Sequence, residues 1–244
     1  MQNVIDIKNV SMAFNMSEEK VNSLKEYMLK AAKGQLRYRE FFALNNVTFS
    51  VQKGDVFGIV GLNGSGKSTL LKIIAGILKP TKGTIAVSGS IAPLIELGAG
   101  FDMELTAREN IYLNGSVLGY KKKFIDEHFI SIVEFSELND FLDVPMKNYS
   151  SGMVARVGFA VATVIKPDIL IVDEILGVGD YLFQQKCERR INELMANGTT
   201  VLLVSHNISQ ISNMCKRVLW LEHGYMKMLG ECTEVCDAYQ KLAD

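Results

Sequence analysis

The run Gly61-Leu62-Asn63-Gly64-Ser65-Gly66-Lys67-Ser68-Thr69 brings together the residue types that hold phosphate. Glycines at 61, 64 and 66 let backbone N–H groups converge on an anion without side-chain obstruction. A helix opening here adds the partial positive charge of its N-terminus. Lys67 would reach the β- and γ-phosphates of a nucleotide, the Ser68 hydroxyl would ligate Mg²⁺, and Thr69 is a second phosphate contact. Leu62, Asn63 and Ser65 belong to the same binding loop. Farther along, Ile169-Leu170-Ile171-Val172-Asp173-Glu174 places two acids behind four apolar residues. Asp173 would hold Mg²⁺, usually through water, and Glu174 would polarise an attacking water as general base. Acids in such a place also serve as helix caps, but a phosphate loop in the same chain favours the metal and base roles. His206, in Ser205-His206-Asn207, is read as a γ-phosphate contact in that company; alone it would pass for a structural histidine.

These residues need strands to aim them. Val56–Val60, Ile169–Val172 and Val201–Val204 are short, nearly continuous apolar runs, as expected of strands buried on both faces of a parallel sheet. The phosphate loop, Asp173-Glu174 and His206 each follow one of them, at the strand ends where open α/β sheets bind ligands. Val4–Val10 and Val47–Val51 alternate with period two, which predicts half-exposed antiparallel strands. Thr84–Val87, Ile91–Ile95, Arg217–Leu221 and Tyr225–Leu229 are shorter strand candidates. Helices are predicted over Lys67–Ile77, Ala107–Leu118, Lys123–Phe135, Gly152–Ile165, Phe183–Ala196 and Ile208–Cys215. With only 4 prolines and no low-complexity stretch, the chain reads as one α/β unit with a helical insertion near 98–165.

Composition narrows the class. The 244 residues carry 26 Lys+Arg against 27 Asp+Glu, so overall charge gives no reason to expect a nucleic-acid partner. A hydrophobic share of 48% and a charged share of 22% exclude global disorder. No apolar run approaches the ~18–20 residues that span a bilayer. No basic-then-apolar leader opens Met1–Val10, so secretion is not expected. The cysteines at 187, 215, 232 and 236 form no CxxC pair and lie at no zinc-ligand spacing from a histidine, and they read as buried or incidental thiols. Residues 17–37 break the rhythm. Lys20, Lys25, Lys30, Lys33, Arg37 and Arg39 face the single acid Glu26 across 20–39, while Val21, Leu24, Met28 and Ala32 would share one helix face. This amphipathic helix is either a solvated surface element or one lying at a membrane surface or a membrane partner.

At this point the chain resembles the nucleotide-binding subunits of ABC transporters. Tyr149-Ser150-Ser151-Gly152-Met153, ahead of Asp173 and opening a helix, is similar to the family's signature, usually Leu-Ser-Gly-Gly-Gln, matching it at Ser150 and Gly152. The resemblance implies a P-loop NTPase fold with a RecA-like core, an antiparallel β subdomain and an inserted α-helical subdomain, spanning 1–244 as one ABC-type domain. It implies ATP and Mg²⁺ as ligands and an ATP-sandwich homodimer, with Ser150, Ser151 and Gly152 closing on the nucleotide of the second copy. Gly177-Val178-Gly179-Asp180 resembles the loop that links the two sites. Glu96 stands where the family carries a Mg²⁺-sensing glutamine. Tyr38 has the spacing of the adenine-stacking aromatic, with Phe41 or Phe42 as fallback.

The stretches Ala92–Phe101 and Leu105–Gly115, with the Tyr-Ser-Ser-Gly-Met signature, are similar to ATPases that export lipid-linked O-antigens, capsules and teichoic acids. That resemblance implies a transmembrane permease partner, a lipid-linked glycan handled through it, and a peripheral place on the cytoplasmic face of the cell membrane. In that group a helix such as 17–33 faces the permease and the membrane interface. Some members carry a further carbohydrate-binding domain, and none is expected within these residues. Two alternatives have less in their favour. A soluble ABC ATPase for translation or repair usually shows two ATPase halves or a long coiled coil. A GTPase or small-molecule kinase leaves 149–153 unexplained, and no Asn-Lys-x-Asp guanine motif occurs.

Overall fold

The structure is a computed structural model that describes residues 2–17, 38–94, 98, 100–173, 179–205 and 207–241. Strands β1 (Asn3–Ser17) and β2 (Tyr38–Gln52) pair antiparallel along their length, from Asn3 opposite Gln52 to Ser17 opposite Tyr38. Both run well past the alternating segments that predict them. The pairing continues where Met12–Ser17 and Tyr38–Leu44 offer no clean alternation, because register shifts re-phase the pleat. Two such shifts lie between Ile7 and Val10, opposite Thr48, and between Val10 and Met12, opposite Asn46 and Asn45. Asn9 and Asn46 take φ values of 51° and 53° there, a left-handed conformation that asparagine tolerates.

Strand β3 (Val56–Val60) leads through the glycine-rich loop into helix α1 (Lys67–Ile74). The helix stops before the predicted Ile77, and Gly76 follows at a φ of 74°. Strand β4 (Lys82–Val87) crosses to the far side of β1, giving a three-stranded sheet in the order β2-β1-β4. Strand β5 (Ile91–Pro93) then joins the second sheet. Helices α2 (Ala107–Val117), α3 (Lys122–Ser136) and α4 (Ser151–Val164) follow, with short 3-10 turns at Asn139–Phe141 and Met146–Asn148. Strand β6 (Ile169–Asp173), helix α5 (Tyr181–Ala196), strand β7 (Thr200–Val204) and helix α6 (Ile208–Met214) alternate next. Strands β8 (Arg217–Glu222) and β9 (Tyr225–Glu231) form a hairpin, and helix α7 (Cys232–Gln240) closes the described chain.

The second sheet has six strands in the order β5-β6-β7-β3-β8-β9, parallel except for β9. All five residues of β7 are buried, as a central strand covered on both faces requires. One core lies between the two sheets, where Phe49 stacks on Phe57 at 5.3 Å beside Leu70, Ile171 and Leu219. A second core covers the opposite face with Leu170, Val172, Phe183, Ile191, Trp220 and Val235. A third joins α2, α3 and α4 through Ile111, Ile125, Ile132 and Val161. Helix α4 serves two of these, with Phe159 in the second core and Val157, Ala160 and Val161 in the third, hence its nearly unbroken apolar sequence.

Two other features of the sequence reading change. The strand expected over Ile91–Ile95 ends at Pro93. Helix α7 is absent from the sequence expectations because its buried positions include Cys232 and Cys236, which read as incidental thiols. All four cysteines are indeed free and buried. The amphipathic helix expected at 17–37 lies outside the described residues apart from Ser17. No helix among the described residues is long and apolar enough to cross a membrane.

Candidate nucleotide site

The loop between β3 and α1 owes its shape to glycines with no alternative. Gly61, Gly64 and Gly66 have φ values of 153°, 78° and 105°. At Gly66, the N-cap of α1, an added Cβ would also lie 2.5 Å from the Ala43 carbonyl oxygen of β2, so loop and strand touch backbone to backbone. Lys67 is 8% exposed, and its ammonium donates to the carbonyl oxygens of Gly61 at 2.7 Å and Leu62 at 3.1 Å. Burial pushes its pKa down, and the Asp173 carboxylate draws it partly back. Ser65 presents the opposite problem: its hydroxyl oxygen is buried without a hydrogen-bond partner among the described residues. A buried hydroxyl left so is costly unless something polar completes it.

A cavity of about 440 Å³ opens over this loop. Asn63, Gly64, Ser65, Gly66, Lys67, Ser68, Thr69 and Asp173 line it, together with Phe14, Phe41 and Ala43. The structure thus brings the loop and Asp173, distant in sequence, to one wall. Gly61 and Leu62 serve from behind, as acceptors for Lys67, and the Leu62 side chain is exposed. The aromatic wall holds Phe41, one of the two expected fallbacks, and adds Phe14. Tyr38 opens β2, with its side chain outside the described residues, while Phe41 and Phe14 reach the cavity as direct cross-strand partners. Phe42, the next residue of the pleat, is absent from that wall. Phe14 escaped sequence reasoning because only the β1–β2 register brings it beside Phe41. Glu174, His206 and Glu96 lie outside the described residues. Asp173 ends β6 and Ser205 directly follows β7, the strand that lies between β6 and β3.

The turn between β8 and β9 braces the loop. Gly224 donates from its N–H to the Ser65 carbonyl oxygen at 3.0 Å and accepts from the Asn45 N–H at 2.8 Å. Asn45 also donates from its side-chain amide to the Tyr225 hydroxyl at 2.8 Å.

Ser150, Ser151 and Gly152 do not join the cavity of their own chain. Ser150 caps α4, its Oγ accepting from the Met153 N–H at 3.2 Å. A Cβ added at Gly152 would meet only Ser150 Oγ, at an ordinary 3.8 Å. Nothing inside the described chain therefore demands a glycine at that helix end.

The profile of the family described as ABC transporter matches residues 44–177. The O-antigen export system ATP-binding protein RfbB of Klebsiella pneumoniae is 41% identical over 243 residues, covering 99% of each chain. The teichoic acids export ATP-binding protein TagH of Listeria innocua is 40% identical over 97% of this chain and 70% of its own length. Among solved structures, a dimeric ATP-binding cassette bound to ADP and Pi superposes with a TM-score of 0.72 over 93% of this chain and 98% of its own, at 23% identity. That likeness carries the fold: two sheets and a helical insertion arranged as in an ATP-binding cassette. The phosphate loop, its order relative to Asp173, and near end-to-end similarity to export ATPases agree, and the chain belongs to the ABC transporter family, on the side of its ATP-binding subunits.

Proposed function

We propose that this chain binds and hydrolyses ATP as the motor subunit of an ABC transporter that exports a lipid-linked polysaccharide across the cytoplasmic membrane. One observation carries the reading: a cavity walled by the phosphate loop and Asp173 sits in a chain nearly co-extensive with an O-antigen export ATPase. Phosphoryl transfer asks mainly for positioning and charge neutralisation. Lys67 sits in the cradle as a buried cation, hydrogen-bonded to carbonyls that the phosphates can displace. The loop amides and the α1 N-terminus take the anionic oxygens, and the orphaned Ser65 hydroxyl gains an acceptor. Oxygen donors on Ser68 and Asp173 suit a hard divalent cation, and Mg²⁺ held there would neutralise phosphate charge. Glu96 is assigned a sensing role toward that ion, Glu174 takes the proton of the attacking water, and His206 contacts the γ-phosphate. Phe14 and Phe41 offer the base an aromatic face, the part first given to Tyr38.

Ser150, Ser151 and Gly152 act on the nucleotide of a second copy. The free space at Gly152 supports this, because the need for a glycine then comes from an approaching molecule. The membrane partner is a permease at the cytoplasmic face, with residues 17–37 turned toward it and the glycan handled through it. Depleting the protein in its source cell and extracting lipid-linked glycans tests the export. Polymer should accumulate inside the membrane and vanish from the surface; unchanged surface glycan would refute the cargo. Glu174→Gln should nearly abolish turnover while retaining ATP, and full turnover would remove its role as base.

A further inference from the structure

Helix α4 begins at Ser150, and two turns in, its Arg156 reaches out of the helical layer. One guanidinium nitrogen donates to Glu137 Oε2 at 2.8 Å, and the other is ion-paired with Asp180. The guanidinium carbon stands 4.5 Å from the centre of the Phe183 ring, and the side chain is only 17% exposed. Each partner is itself fixed. Glu137 ends α3 in the left-handed conformation and takes a second ion pair from Lys186 of α5 at 2.8 Å. Asp180 is the N-cap of α5: its Oδ1 accepts from the Phe183 N–H at 3.0 Å while its Oδ2 faces Arg156. The carboxylate is thus divided, one oxygen starting a helix of the core and the other held by the helix that Ser150 heads. A planar fork stacked on a ring and shared between two anchored carboxylates is a rigid junction, unlike a lone surface pair.

We propose that Arg156 is a positioning residue for nucleotide hydrolysis: it ties the helix headed by Ser150 to Asp180 at the start of α5, so that neither shifts without the other. This rests on the ATPase reading above. Asp173 lines the nucleotide cavity, and Asp180, the N-cap of α5, follows it by seven residues in the chain. When Ser150 moves toward a second copy's nucleotide, Arg156 carries the start of α5 in the same step. An ångström of slack in such an arrangement costs up to about a hundredfold in rate.

The test uses the full chain with Arg156→Met, which keeps the stacked volume without charge, and Arg156→Lys, which keeps the charge. Asp180→Asn retains an acceptor for the Phe183 N–H, so α5 keeps its cap. Turnover should fall at least about tenfold in R156M and D180N with the KM for ATP within about twofold, and R156K should recover part of it. The double variant R156M/D180N should be no slower than either single one, since both cut one tether. Amide exchange in the peptide covering 173–183 should quicken in R156M without nucleotide. Unchanged kcat, multiplicative losses, or a rise confined to KM would overturn the proposal. If the wild-type chain does not hydrolyse ATP, the ATPase reading falls on its own. The exchange measurement then decides the tether: quickening at 173–183 supports it, and identical exchange refutes it.

Discussion

The brace between Gly224 and the phosphate loop makes a test in which strain can be separated from function. Gly224 sits at a φ of 81°, and an added Cβ would lie 2.8 Å from the Ala43 carbonyl oxygen and 3.1 Å from its carbon. Placing alanine in the left-handed region costs roughly 1–2 kcal/mol. Relieving the clash requires backbone to move, and the bonds it would stretch are those to Ser65 and Asn45. Each contributes about 1 kcal/mol net, so Gly224→Ala should destabilise by about 2–4 kcal/mol. For a chain of this size that lowers Tm by roughly 5–15 °C. Gly198→Ala is the matched control: its φ is 83°, with nothing within 4 Å of the added Cβ. It carries the same strain alone, roughly 1–2 kcal/mol, and touches no part of the cradle. The assay is thermal unfolding with and without MgADP, with ADP affinity from calorimetry. G224A should lose at least about fivefold in ADP affinity, equivalent to about 1 kcal/mol, while G198A keeps wild-type affinity. Equal behaviour of the two variants in both readouts would refute the idea that the β8–β9 turn holds the loop for its ligand.

Lys67→Met should have opposite effects on the free and loaded protein. Removing a buried ammonium spares its desolvation, the larger influence on its pKa, so the free chain should melt at the same temperature or slightly above, while the stabilisation by MgADP disappears. A lower Tm without ligand would contradict this. Phe14→Ala and Phe41→Ala should each raise the KM for ATP by about tenfold, because stacking on a base contributes ~1–3 kcal/mol; an effect of Tyr38→Ala alone would return the base to the position first expected. Asp168 accepts from the Ser90 N–H and hydroxyl at 2.8 and 2.9 Å, which hold its pKa below the usual carboxylate value. A depressed folded pKa gives stability that is present above about pH 4 and drains as the pH falls through the folded value. The Tm gap between wild type and Asp168→Asn should therefore shrink from pH 6 toward about pH 3, and a constant gap would refute the linkage.

What the sequence revealed is what lies contiguous in it. The phosphate loop carries strand, glycines, lysine and helix in a single run, and Asp173 closes an apolar strand whose partner strands are equally apolar. Those segments needed no knowledge of their neighbours. The missed features all depend on pairing across distance. Phe14 meets the cavity only through β1–β2 register, and register shifts defeat a count by twos. Arg156 reads as one cation on a helix until the fold sets Glu137 and Asp180 on either side of it. Helix α7 was hidden because cysteine behaves there as a small apolar residue, Cys232 and Cys236 packing with Val235 in the second core.

The same distinction bears on how much of the chain the nucleotide site needs. The family profile ends at residue 177, yet the strand that presents the phosphate loop lies between β7 and β8, both beyond that point. Phe14 precedes the matched region and Gly224 follows it, and each touches the cradle or its loop. A fragment restricted to 44–177 keeps every loop residue but leaves β3 without either neighbour and exposes the apolar faces of Phe57, Ile59 and Val60. Backbone groups of a central strand cannot go unpaired in a buried sheet, so the fragment should neither unfold cooperatively nor bind ADP. Calorimetry with ADP and a thermal scan on that fragment check this. Cooperative unfolding together with ADP binding would mean that the loop and α1 hold their own shape, and that the contacts from β1 and the β8–β9 turn are ornament to the site rather than its frame.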